Sequence, residues 1–254
     1  MRPSGRTIPL SLPRRWIGDL AAFSRNVPTV AGEKILRVKA LAGARRRVPM
    51  PPSWGSLVTK AFGIVSARIP ELRRSYLSFP FPRLYEHPVS VAAIVVNRDF
   101  HGEPAVFLGL MQAPENLSLR EIESRLRQFR ESPFEQIGCY RRLIRTTRLP
   151  RPVRRLLWWY GLCVAGKERS CTFGTFAVNS LPSKRGRLTH FLNPITSMLY
   201  YGSSGTADEL SVQMPFDHRV IDGITSIRAL SELQRVLNGE MVEEVGGAWG
   251  NPGS

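Results

Sequence analysis

Leu210, Val212, Met214 and Phe216 alternate with Ser211, Gln213 and Pro215, and the run passes directly into Asp217-His218-Arg219-Val220-Ile221-Asp222-Gly223. Strict alternation specifies a strand with one buried face. After Gly223, Ile224, Ile227, Leu230 and Leu233 recur at helical spacing, so the strand turns into a helix within a few residues. This placement sets His218 at a strand end, where a buried wall meets a channel. A neutral imidazole there has the chemistry to take a proton from a thiol or hydroxyl. Taken by itself, His218 reads equally well as an ordinary turn or core histidine.

Elsewhere the chain alternates between helical and strand patterns. Trp16 to Phe23 predicts a short helix ended near Pro28, Ile35 to Lys39 a strand, and Arg45 to Pro52 a basic linker closed by prolines. Trp54, Leu57, Val58, Ala61, Ile64, Val65 and Ile69 trace the core face of a long helix. Val89 to Val96 and Pro104 to Leu110 are β-branched, apolar stretches joined across residues 97–102, a hairpin pattern in which His101 and, further upstream, His87 are turn or loop residues. Ser118 and Glu121 have capping-box spacing ahead of an apolar stripe formed by Leu119, Ile122, Leu126 and Phe129. Leu57, Ile64, Ile94, Val95, Leu119, Ile122, Phe176, Val178, Val212 and Met214 make up the expected core. Residues 1–13 are expected to be a flexible arm, 14–239 the folded domain, and 240–254 a flexible tail.

Bulk composition narrows the function. A chain of 254 residues has enough material for a sizeable core. It contains no apolar run of about 18 residues and no apolar signal core near its start, which makes the cytoplasm the expected location. Cys139, Cys163 and Cys171 form no CxxC pair, so buried apolar thiols are expected rather than a disulfide framework or a metal site. The 36 basic and 20 acidic residues give a net charge of +16, with the basic residues concentrated before Pro49 and from Arg141 to Arg187. Such a field favours an anionic partner. No zinc-finger ligand set, aromatic RNA-binding motif or helix-turn-helix punctuation accompanies it, so specific nucleic-acid binding is not expected. The phosphates of a bound ligand, an anionic membrane surface and plain solvated charge would all use the same field. The second is raised by Trp158 and Trp159 behind the arginine-rich stretch 148–155, where a buried helix or a wall of an acyl pocket is the main reading.

From about Arg14 to Leu237 the chain resembles the catalytic domain of the 2-oxoacid dehydrogenase acyltransferases, the E2 components, and through them chloramphenicol acetyltransferase. The resemblance is carried most specifically by PFDHRVIDG followed by ITSIRALSELQRVL. Weaker matches follow the family order: RRWIGDL and then Pro28, WGSLVTKAFGIVSARIPEL, NLSLREIESRL, and GTFAVNSL before NPITSMLYYG. It implies an α/β two-layer sandwich of the chloramphenicol-acetyltransferase type, with a mixed sheet carrying helices on one side. It further implies a homotrimer with active sites shared between subunits.

The implied activity is transfer of an acyl group from acyl-CoA to a thiol or hydroxyl acceptor, by direct general-base catalysis and without an acyl-enzyme. His218 is the implied base. Asp222 is implied to pair with an arginine near the amino terminus, for which Arg14 is the best positional match and Arg15 its neighbour. Helix capping by Asp222 is the alternative from the residues themselves. At the family's usual serine, which supports the oxyanion, the sequence has Asn179, with Ser180 beside it. An asparagine amide is a suitable donor, but adjacent strand residues face opposite ways, so only one of the two can serve. Neither a lipoyl domain nor a peripheral-subunit-binding domain fits ahead of Arg14, and Thr29 follows Pro28 where the family has a histidine. The expectation is therefore a free-standing acyltransferase with no attached lipoyl group, no metal and an unnamed acceptor. The alternative is a non-catalytic, E2-like trimeric binding or assembly protein.

Overall fold

The computed structural model describes residues 5–181, 191–247 and 249. Ser11 caps α1 (Leu12–Ser24), with Pro13 in its first turn where a missing amide costs nothing. Next come β1 (Thr29–Arg37), α2 (Lys39–Arg46) and α3 (Trp54–Arg68), the last capped by Ser53. A two-stranded ribbon, β2 (Arg74–Leu77) and β3 (Arg83–Glu86), precedes the long hairpin of β4 (Val91–Phe100) and β5 (Glu103–Gln112). The helices α4 (Leu119–Glu131), α5 (Gly138–Arg148) and α6 (Arg151–Trp159) follow, then a π-helical turn (Tyr160–Val164) and α7 (Gly166–Phe173). The chain continues with β6 (Phe176–Ser180), β7 (Ser197–Ser203), β8 (Glu209–Asp217), α8 (Gly223–Asn238) and α9 (Glu240–Gly246).

Six strands form one mixed sheet in the order β1-β8-β7-β6-β4-β5. The β4–β6 and β6–β7 pairs are parallel, and the others antiparallel. The fold is a two-layer α/β sandwich whose main helices, including α3, α4 and α8, lie on one face. The alternation in β8 explains that packing: Leu210, Val212, Met214 and Phe216 are all buried in the larger core, with Leu57, Phe62, Leu230 and Leu233. Full burial of such side chains contributes about 1.5–3 kcal/mol each. A smaller cluster occupies the other face over β4, β6 and β7, where Ala93, Ala177, Met198 and Tyr200 meet Trp158, Leu162 and Phe173. Phe23 of α1 stacks on Trp158 there.

Several local expectations shift for tertiary reasons. The first strand begins at Thr29 and ends at Arg37, and Lys39 opens a helix that takes up part of the supposed linker. Its extent is set by pairing with β8 along its whole length, from Thr29 opposite Asp217 to Arg37 opposite Glu209, which an edge strand's own alternation does not reveal. The hairpin loop shrinks to His101 and Gly102, both at positive φ (55° and 82°), as a two-residue turn requires. His101 is thus a turn residue. His87 is instead buried, its Nε2 3.0 Å from the Ser75 hydroxyl. Ile64 and Val95 are only partly buried at the margins of the two cores. Cys171 is exposed, and Cys139 and Cys163 are half-buried free thiols. Past residue 239, where a tail was expected, α9 buries Met241 and Val245, and Glu244 pairs with Lys60 at 2.6 Å. Within the segment from Gly246 onward, the Trp249 indole donates to the Met50 carbonyl at 2.7 Å.

Candidate active site

The backbone around His218 is fixed from both sides while its side chain stays exposed. The Asp217 amide donates to the Thr196 carbonyl at 2.9 Å and the His218 amide to the Pro28 carbonyl at 3.0 Å, tying the end of β8 to its neighbours. The amides of Val220 and Ile221 return to the Asp217 carbonyl, closing a tight turn ahead of α8. The imidazole centroid lies 5.8 Å from that of Phe216, so the ring stands at the margin of the core.

Asp217 is fully buried and needs compensation, because an unpaired interior carboxylate is costly. Arg219 supplies it: its amide, Nε and Nη2 donate to the carboxylate at 3.0, 2.9 and 2.7 Å. The same guanidinium lies 4.2 Å from the centroid of the Tyr76 ring, which locks the residue after His218 against the β2–β3 ribbon. Behind it, buried Arg169 donates to the carbonyls of Tyr76, Leu162 and Pro194 at 2.7, 2.7 and 3.0 Å. Burial pulls its pKa down to about 10, with the Asp217 charge acting in the opposite direction. Sequence reading assigned no role to Arg219 or Tyr76 and missed Arg169. Only Arg219 had a signal, its place inside the DHR motif.

Asp222 caps α8, its carboxylate accepting from the Thr225 amide at 2.7 Å. Hydrogen bonds from Thr225 hold it below the ordinary carboxylate range, and the neighbouring His218 acts in the same direction. Arg14 lies elsewhere: it pairs at 3.4 Å with Glu103, at the start of β5. Since β5 is the sheet edge farthest from β1, Arg14 and Asp222 do not meet within the chain.

Asn179 and Ser180 end β6, opposite Tyr200 and Tyr201 respectively. Burial raises the phenol pKa values of Tyr200 and Tyr201, with Asn179 and Ser180 respectively acting in the opposite direction. Tyr200 belongs to the smaller core and Tyr201 to the larger, so the two candidate donors occupy opposite faces. Tyr200 in turn pairs with Gln213, leaving the run from Gln213 to His218 between them along the strands. At ~3.3 Å per residue this is about 16 Å. A single chain therefore does not bring His218 together with Asn179 or Ser180.

Arg141, Arg142 and Arg145 lie on α5, which packs beside β5, not beside His218. The 184–187 part of the expected basic flank lies outside the described residues. Trp158 is buried, and Trp159 packs against Phe79 with ring centroids 5.3 Å apart. Among the described residues, no group of three or more His, Cys, Asp or Glu is arranged to hold a metal ion. None of the described helices is long and apolar enough to cross a membrane.

Solved structures with this architecture span nearly the whole chain. A probable dihydrolipoamide acetyltransferase from Listeria monocytogenes superposes with a TM-score of 0.64 at 16% identity, covering 96% of each chain. The cubic core of a pyruvate dehydrogenase multienzyme complex gives 0.64 at 15% identity, covering 94% of this chain and 93% of that one. A dihydrolipoamide acetyltransferase from Azotobacter vinelandii, in which a serine, a histidine and an asparagine were investigated for roles in the catalytic mechanism, gives 0.62 at 16% identity, with coverage of 94% and 93%. No family model and no curated protein sequence matches the chain. The chain thus shares the fold of these solved structures.

Proposed function

We propose that this chain is a CoA-dependent acyltransferase, working as a homotrimer whose sites are completed across subunit boundaries. The observation that carries the reading is the placement of His218: an exposed imidazole on a rigid backbone at the end of a central strand, in an acyltransferase-type fold. His218 takes the proton of a thiol or hydroxyl acceptor, which attacks the thioester carbonyl directly; as the tetrahedral intermediate collapses the C–S bond breaks, and the imidazolium returns that proton to the departing CoA thiolate. As the tetrahedral oxyanion develops, an amide or hydroxyl donor stabilises it. Asn179, or Ser180, of a neighbouring subunit provides that donor. Asp222 shapes the loop by capping α8, and Arg14 joins it, if at all, across the interface.

Oligomer formation also gives a place to the apolar surface beside His218. Ile224 and Ile227 share their helical spacing with buried Leu230 and Leu233, yet they are 82% and 50% exposed, with Val30 of β1 exposed nearby. These residues suit a subunit contact better than solvent. The direct test is turnover of an acyl-CoA panel by the purified protein, with His218→Ala in parallel. Thiol release above the variant, with at least one acceptor, is the expected result. Equal rates across the panel would remove the assignment.

One observation favours a second reading, a trimeric binding or assembly protein without chemistry. Asn179 stands where the resembled family has its usual serine, beside Tyr200 across the β6–β7 pair. A trimer by native mass measurement that neither retains nor turns over acyl-CoA would support it.

A further inference from the structure

The helices over the β5 edge enclose a cavity far from His218. It has a volume of about 230 Å³ and lies between β5, α5, α6, the π turn and α7, with a largely apolar wall that includes Leu108, Leu110, Leu143, Trp158 and Phe173. At about 30 Å³ for each water-sized group, it has room for on the order of eight methylene-sized groups. From β8 to β5 the sheet takes four strand steps, on the order of 19 Å at ~4.8 Å each. The cavity is therefore not part of the His218 surroundings in the same subunit.

Its mouth is basic. Arg142 lines the apolar cavity and also the adjoining hollow formed with Arg141 and Arg145. All three arginines are exposed, and among the described residues none pairs with a carboxylate. One Arg142 nitrogen donates to the Cys171 carbonyl at 2.9 Å, fixing the guanidinium at the rim. Glu168 also lines the wall, and one carboxylate leaves the rim positive overall. The π turn helps build the opening. Its wider winding places Tyr160 and Gly161 on the wall, and a Cβ at Gly161 would come within 3.3 Å of the Phe173 ring. Such turns cost helix stability and recur at functional sites.

We propose that this cavity binds an aliphatic chain bearing an anionic head group, with the chain among Leu110, Leu143, Trp158 and Phe173 and the head on Arg142 and Arg145. An apolar interior excludes the head, and the unpaired guanidinium groups at the rim give it charge-assisted hydrogen bonds. The site does not depend on acyl transfer. Free carboxylates and the acyl chains of anionic lipids share this chemistry.

The three thiols supply the test. Cys139 and Cys171 line the cavity and Cys163 does not, so alkylation of the intact chain, mapped by mass spectrometry, compares a reporter with an internal control. Sodium octanoate below its micellar concentration is expected to slow labelling of Cys171 saturably and leave Cys163 unchanged. Octanol should bind about tenfold more weakly, as should octanoate to Arg142→Gln, since each loses a charge-assisted bond. Leu143→Trp, which fills the cavity, should abolish protection; should it fail to fold, the comparison of thiols in the unaltered chain still decides. Protection by octanoate in free solution identifies a free carboxylate as ligand, whereas protection by phosphatidylglycerol vesicles alone identifies a lipid chain. No protection by either probe, equal slowing at Cys163 and Cys171, or equal binding of octanol and octanoate would overturn the proposal. Because the readout is labelling, its failure leaves the His218 assignment untouched, and a lack of turnover leaves this site untouched.

Discussion

Asn179 lies level with Gln213 in the middle of β8, whereas His218 follows the end of that strand, so the run from Gln213 to His218 separates the two along the sheet. A base and an oxyanion donor that far apart cannot act on one carbonyl, because both must lie within hydrogen-bond reach of the reacting atoms. In the proposed trimer the β8 end of one subunit is set against β6 of the next, which brings the two groups to one site.

That arrangement is testable by complementation. His218→Ala and Asn179→Ala homotrimers should each be strongly impaired, the first by roughly 10²–10⁴-fold in kcat, the usual contribution of a general base. Dissociated, mixed in equal amounts and reassembled, they should recover about a quarter of wild-type activity, since random cyclic assembly places an intact His218 beside an intact Asn179 at that frequency. Steady-state rates on the mixed sample check this. If mixed trimers, confirmed by native mass measurement, show no recovery, Asn179 is not the partner donor. The same experiment with Ser180→Ala then examines the other candidate.

The roles of Asp222 and Arg14 separate in a double-mutant cycle. Asp222→Ala removes an N-cap and should lower stability, with Asp222→Ser restoring most of the loss. Arg14→Ala removes an exposed contact with Glu103 and should change stability by no more than about 0.5 kcal/mol. With the two residues apart, the effects should add within about 0.5 kcal/mol in urea denaturation of the monomer. A larger coupling that appears only in the assembled protein would show the pair forming between subunits.

The parts of this molecule legible in the sequence are those specified locally. The alternation at Leu210–Phe216, the Ser118–Glu121 capping box and the α3 stripe each predict their own element, because burial of one face repeats with the period of the backbone. The His218 motif was legible for the same reason, as a strand end followed by a capped helix. What holds that motif was not. Arg169 sits in a polar helical stretch, and its partners at Tyr76 and Pro194 come from distant parts of the chain. Ile224 and Ile227 fit the helical period, yet the core ends before it reaches them. Periodicity identifies a face and not what covers it.

His87 gives a pH dependence that pattern alone did not reveal, having been read as a loop residue. Burial, with Arg169 and Arg73 nearby, pushes its pKa down from 6.5 to about 4, so the folded protein keeps the ring neutral, beside the Ser75 hydroxyl. The unfolded chain binds a proton at this site near pH 6.5, whereas the folded chain does so only near pH 4. The contribution to stability is therefore fully present above about pH 6.5 and is lost as pH falls from there to about 4. Wild-type protein should lose stability across that interval more steeply than His87→Gln, an uncharged replacement that retains hydrogen-bonding capacity. Urea denaturation at a series of pH values measures the difference. Parallel slopes for the two proteins between pH 6.5 and 4 would show that His87 titrates alike in both states and would remove this group from the acid response.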